Sequence, residues 1–103
     1  MNFRIDKDTI FLTLYQGDQI NQTFETYAEA NKIGSAWLSG IGAIADPEIG
    51  YYSISNKCYH RKKHEGEYEL TSLVGNITIK KGEYFSHTHI TSMRTRGLKR
   101  TVN

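Results

Sequence analysis

The sequence is short of the residues that staple or break a fold: one cysteine, Cys58, and one proline, Pro47, occur in 103 residues. A single cysteine excludes an intrachain disulfide, so a reducing, cytoplasmic setting is expected. Apolar residues make up 38% of the chain, below the ~45–50% usual for a globular domain. That predicts one modest core, completed in part by contacts between subunits. No apolar run approaches the ~18 residues that read as a membrane span. The acids Asp6 and Asp8 stand where a secretory leader would need an apolar stretch. Acids are missing from the last ten residues, which carry Arg94, Arg96, Lys99 and Arg100. The net charge of +2 therefore conceals nine basic residues against eleven acids in residues 1–93. This slight acidity of the body argues against a broad phosphate-binding face.

What the chain does have is aromatic and β-branched. Seven tyrosines against four phenylalanines point to half-buried positions, where a ring packs and its hydroxyl meets water or a partner. The best-organised stretch is 66–90. Leu70, Thr71, Leu73, Val74, Ile77, Thr78 and Ile79 fill a first strand. Lys80-Lys81-Gly82-Glu83 is a connection of hairpin length, and a second strand then alternates Phe85, His87 and His89 against Ser86, Thr88 and Ile90. Residues two apart on a strand share a face and lie ~6.5 Å apart along it. His87 and His89 can therefore converge on one metal ion or one anion, or remain as two strand histidines with local partners.

Earlier in the chain, residues 9–15 read as a strand. Ile20, Phe24, Tyr27 and Ala28 recur at the spacing of one buried helical stripe over about 19–31. Asp18 or Asn21 is the expected cap and Gly34 the expected stop, and Glu25 and Glu29 fall on the polar face. A short strand at 35–39 is expected to end at Gly40-Ile41-Gly42-Ala43, too little for a nucleotide-binding loop. Residues 48–54 and 57–63 flank Ser55-Asn56 as a hairpin, with His60 and His64 expected on exposed strand and turn positions. Arg61, Lys62 and Lys63, with Lys80 and Lys81, form a candidate nucleic-acid patch if the two hairpins lie side by side. One helix among about six strands gives an α+β class: a mainly antiparallel sheet with one principal helix packed on it. Residues 1–91 read as the domain and 92–103 as a basic, irregular tail.

Three pieces in order carry a family resemblance. They are the helix with Gly34-Ser35-Ala36-Trp37-Leu38-Ser39-Gly40-Ile41-Gly42-Ala43, the run 67–77 (Glu-Tyr-Glu-Leu-Thr-Ser-Leu-Val-Gly-Asn-Ile), and Phe85-Ser86-His87-Thr88-His89. Together they resemble the PPC domain (plants and prokaryotes conserved) over about residues 3–90. The resemblance implies an α/β domain with a largely antiparallel sheet, commonly a homotrimer. In plants it mediates nuclear protein contacts behind DNA-binding AT-hook segments, and prokaryotic members are often described as DNA-binding. Such domains continue after the His-x-His strand with a Gly-Gly-His-Leu segment and further strands. Those are lacking here, so the chain reads as a C-terminally shortened member whose closing strands are missing. The AT-hook core Arg-Gly-Arg-Pro is also lacking.

Extended to relatives of acetolactate-decarboxylase-like fold, the resemblance implies a zinc site in which His87 and His89 are joined by a third histidine from the lacking segment. His60, His64, Cys58 or Glu69 would have to substitute. Glu69 is the candidate general base beside a metal-bound water. The expected function is a PPC-type oligomerisation and binding domain in DNA-associated regulation, with a DNA or protein partner and no membrane. The alternative is a small metal-dependent lyase or hydrolase acting on a carbonyl or ester.

Overall fold

The structure, a computed structural model, describes residues 1–94. Its elements run β1 (Asn2–Asp6), β2 (Thr9–Thr13), α1 (Ile20–Ala30), β3 (Ala36–Ala45), β4 (Glu48–Ser53), β5 (Cys58–Lys63), β6 (Glu67–Lys80) and β7 (Glu83–Arg94). The strands form a two-stranded sheet β1-β2, a three-stranded sheet β3-β6-β7 and a two-stranded sheet β4-β5. This corrects the expected α+β class. The fold is mostly antiparallel β, with 62% of the described residues in strands and one short helix among them. The single sheet with a principal helix packed on it is replaced by three sheets.

The physical reason lies in strands that the pattern hid. Phe3 and Ile5 alternate with polar residues and pair with Leu12 and Ile10, but five residues with two apolar side chains give a weak period-2 signal. β3 does not stop at Gly40; it runs through both glycines to Ala45. Ladder hydrogen bonding tolerates glycine once neighbouring strands fix the backbone, even though glycine weakens a strand in isolation. The β4–β5 connection has four residues, 54–57, because Ser53 pairs with Cys58. The expected tail at 92–103 begins within β7, which continues to Arg94, and its remainder, 95–103, lies outside the described residues.

The chain divides into two units, Met1–Ser39 with Val74–His89, and Gly40–Leu73 with the segment from Ile90 onward. In the first, Tyr27 and Ala28 of α1 and Ile77 of β6 are buried. The Phe3 ring meets Tyr27 at 5.5 Å between centroids. In the second, Leu70 and Leu73 are buried. Full burial of such side chains contributes ~1.5–3 kcal/mol each, so neither core is large. Among the described residues, no helix is long and apolar enough to cross a membrane.

The ends of α1 differ from expectation. Its N-cap is Gln19, with no side-chain cap bond. Asp18 instead accepts from the Tyr15 backbone N–H at 2.8 Å and lies 3.4 Å from the N-terminal ammonium. The backbone hydrogen bond, assisted by that ammonium, holds the Asp18 carboxyl below its ordinary value. At the other end the helix closes before Gly34. The Ile33 N–H donates to Ala28 O at 2.8 Å and the Lys32 N–H to Glu29 O at 3.3 Å, with Lys32 at φ 56°. That is a Schellman cap carrying lysine where glycine is favoured. Lys32→Gly should therefore stabilise the chain by about 1 kcal/mol, the order of the left-handed penalty for a residue with a Cβ. A midpoint rising by roughly 4–8 °C in thermal unfolding checks it.

Candidate functional site

The β6–β7 hairpin turns on Lys81 and Gly82, both at positive φ (52° and 81°), the geometry of a two-residue type I′ turn. This fixes the register of β7 and hence which face each of its side chains takes. Ser86 and Thr88 point towards α1. The Ser86 backbone N–H and hydroxyl both donate to Glu25 Oε2, at 2.9 and 2.8 Å. The Thr88 hydroxyl donates to Asn21 Oδ1 at 2.9 Å. Ser86 is 4% exposed, so its two donors need these partners. With that face pinned, Phe85, His87 and His89 take the opposite face, as the alternation predicts.

The two imidazoles do converge. His87 Nε2 and His89 Nε2 lie 3.1 Å apart, with ring centroids 4.9 Å apart and planes at 66°. Both histidines are exposed. At that distance one ring nitrogen must donate and the other accept, or both must turn a lone pair to a shared cation. Two imidazole ligands at ~2.0–2.1 Å from one tetrahedral zinc would sit ~3.3 Å apart, so the pair needs little adjustment to chelate. The Phe85 ring lies tilted beside His87, with centroids 6.4 Å apart and planes at 37°.

The other sequence candidates are placed elsewhere. Among the described residues, no third histidine, cysteine or carboxylate joins the pair into a three-ligand group. Glu69 is exposed on β6, in the unit that does not contain the pair. His60 is half-buried on β5, stacked on Tyr51 at 5.2 Å, with its Nε2 3.3 Å from Cys58 Sγ. His64 is half-buried, edge-on to Tyr68 at 6.5 Å. Arg61, Lys62 and Lys63 are exposed on β5, in a sheet of its own with β4. Lys80 instead sets its ammonium 5.0 Å from the Phe85 ring centroid, and Lys81 occupies the hairpin turn. Arg61–Lys63 and Lys80–Lys81 thus belong to separate sheets and separate units.

Sequence reasoning missed Asn21 and Glu25, which orient the histidine strand. Glu25 was assigned to the polar face of α1, yet it is half-buried against β7. The available signal was the pairing of two demands. Asn21 and Glu25 lie one helical turn apart on one face, and Ser86 and Thr88 on a predicted strand face need acceptors when buried.

These features define a small β-rich domain that carries a strand-borne His-x-His pair, held in place by one helix. The Plants and Prokaryotes Conserved domain model (PCC, also written PPC) matches residues 2–102, and the chain belongs to that family. Solved structures agree. A PPC protein from Pyrococcus horikoshii is 33% identical over 77% of this chain and 55% of its own, with a TM-score of 0.73. A metal-containing protein from Archaeoglobus fulgidus is 30% identical over 91% of this chain and 68% of its own, with a TM-score of 0.79. A suggested DNA-binding protein from Bacteroides thetaiotaomicron is 22% identical over 91% of this chain and 66% of its own, with a TM-score of 0.85, a likeness in fold alone. The chain thus spans between about half and two thirds of the length of these proteins. No protein of curated function matches it significantly.

Proposed function

We propose that this PPC domain is a binding module whose His87–His89 pair holds a divalent metal of the zinc type. The observation that carries the reading is the 3.1 Å separation of the two Nε2 atoms, and the metal-containing relative from Archaeoglobus fulgidus supports it. The pair would supply two ligands, leaving further positions to water or to groups beyond the described residues. With two protein ligands and no adjoining carboxylate among the described residues, the arrangement favours binding over a lyase or hydrolase reaction, which calls for a positioned general base. Titration of the chelator-treated chain with zinc chloride in a calorimeter should show one site per chain. His87→Ala and His89→Ala should each weaken it about 100-fold or more while the far-UV spectrum is kept. Wild-type protein that takes up no zinc, or variants that bind as well as wild type, would sink the reading.

A second reading, DNA-associated regulation by a trimer, rests on separate observations. The β4–β5 hairpin exposes Tyr52, Tyr59, Arg61, Lys62 and Lys63, and a structural neighbour is a suggested DNA-binding protein. Trp37 and Ile41 on β3 are 73% and 82% exposed, and side chains of that size left in water favour self-association. Light scattering should give three chain masses; a concentration-independent monomer would remove the trimer.

A further inference from the structure

We propose that the Tyr52–Tyr59 face of the β4–β5 hairpin binds single-stranded nucleic acid, with bases stacking on Tyr52 and Tyr59 and the backbone held by Arg61 and Lys63. The inference rests on the DNA-associated reading and adds the form of nucleic acid that the domain recognises. It starts from register. Tyr52 faces Tyr59, Gly50 faces Arg61 and Glu48 faces Lys63. Directly opposed residues share one side of an antiparallel pair. One side of the hairpin therefore carries two aromatic rings followed by two cations, while Tyr51, His60, Ile49 and Lys62 take the other.

Both rings are largely in water, Tyr52 at 57% and Tyr59 at 58% exposed. Apolar ring area left in water is unfavourable, and neither ring packs on another ring among the described residues. Tyr59 is nevertheless held in place. Its ring crosses to β4 and fills the space that a side chain at Gly50 would occupy: a Cβ there would strike ring atom Cε1 and stand 2.8 Å from Cζ. Glycine at position 50 is what lets the ring lie over the neighbouring strand. The Arg61 guanidinium sits 5.6 Å from the Tyr59 ring centroid and 3.8 Å from Glu48. That ion pair is largely in solvent, where such pairs contribute little, so an incoming phosphate can displace it.

The occupant follows from charge and shape. This face sets Arg61 and Lys63 against the single acid Glu48, with Lys57 in the adjoining connection. A second copy docking by the same face would bring these cations together, whereas a polyanion neutralises them. Flat exposed rings beside cations are the stacking platform that reads unpaired bases, because every base offers a π-face. A duplex hides those faces, so the rings select unpaired strands.

The test is fluorescence anisotropy on the full chain with a labelled oligo(dT) of about 15 nucleotides, within the usual site sizes, and a duplex of equal length. Oligo(dT) should bind more tightly than duplex. Tyr59→Ala should weaken oligo(dT) binding about 10-fold or more, as loss of one stacked base does, and Tyr59→Phe should bind as wild type. Gly50→Ala, which displaces the ring without removing it, should reproduce the Tyr59→Ala loss. Arg61→Ala should lower the slope of log affinity against log salt by about 0.7. Duplex bound as well as oligo(dT), with Tyr59→Ala indifferent and folded, overturns this inference and leaves the DNA-associated reading standing. No binding of either probe at low salt overturns both. Self-association that Tyr59→Ala abolishes, without oligo(dT) binding, gives the face to a second copy and overturns the inference.

Discussion

Gly75→Ala should cost the domain about 2 kcal/mol of folding stability and disturb the histidine pair in the same stroke. Gly75 is buried in β6. A Cβ there would fall on the His87 carbonyl oxygen and stand 2.9 Å from Thr88 Cα and 3.0 Å from Thr88 Cγ2. Two of these three neighbours are backbone of the strand that carries the site, so no rotamer change relieves the clash. β7 must move, and overpacking of this kind typically costs ~1–3 kcal/mol. Chemical denaturation of both proteins should show a lower midpoint at unchanged slope. Zinc uptake by the variant should weaken as well, because the displaced residue is His87 itself. A variant as stable as wild type would show that the two strands are not in such close contact.

Glu25→Ala should be about as damaging, by a different route. The Glu25 carboxylate accepts both the backbone N–H and the hydroxyl of buried Ser86. Hydrogen bonds to a charged group are worth ~1.5–3 kcal/mol net, and orphaned buried donors add their own desolvation penalty. A loss of about 2–3 kcal/mol is therefore expected. Glu25→Gln keeps an amide oxygen in the same place and should recover most of it. The readout that separates positioning from bulk stability is zinc affinity in protein still fully folded. It should fall for Glu25→Ala and largely return for Glu25→Gln, since Ser86 lies between Phe85 and His87. Equal affinity in all three proteins would reduce Glu25 to a stability residue.

The contrast between these residues shows where sequence was sufficient. The alternation Phe85-Ser86-His87-Thr88-His89 gave the facing of the two imidazoles, because side chains on a strand alternate whatever the strand packs against. Periodicity likewise placed α1 to within a residue at each end, and Lys80-Lys81-Gly82-Glu83 announced a connection that the structure narrows to Lys81-Gly82. Class was misjudged where elements are short or glycine-bearing: β1 offers only Phe3 and Ile5, and β3 crosses Gly40 and Gly42. β1 becomes a strand through its hairpin partner β2 and β3 through the distant β6, and neither pairing shows in the period of the strand itself.

By itself the sequence determined the family, the helix, the central hairpin and the common face of His87 and His89, all of which follow from local periodicity or from ordered motifs. Only the tertiary structure decided that Glu25 and Asn21 grip the far side of β7, that Gly75 admits the histidine strand, and that the basic residues split between separate sheets. Those facts join residues up to 67 positions apart. Contact at that separation is set by packing and register, which leave no periodic trace along the chain.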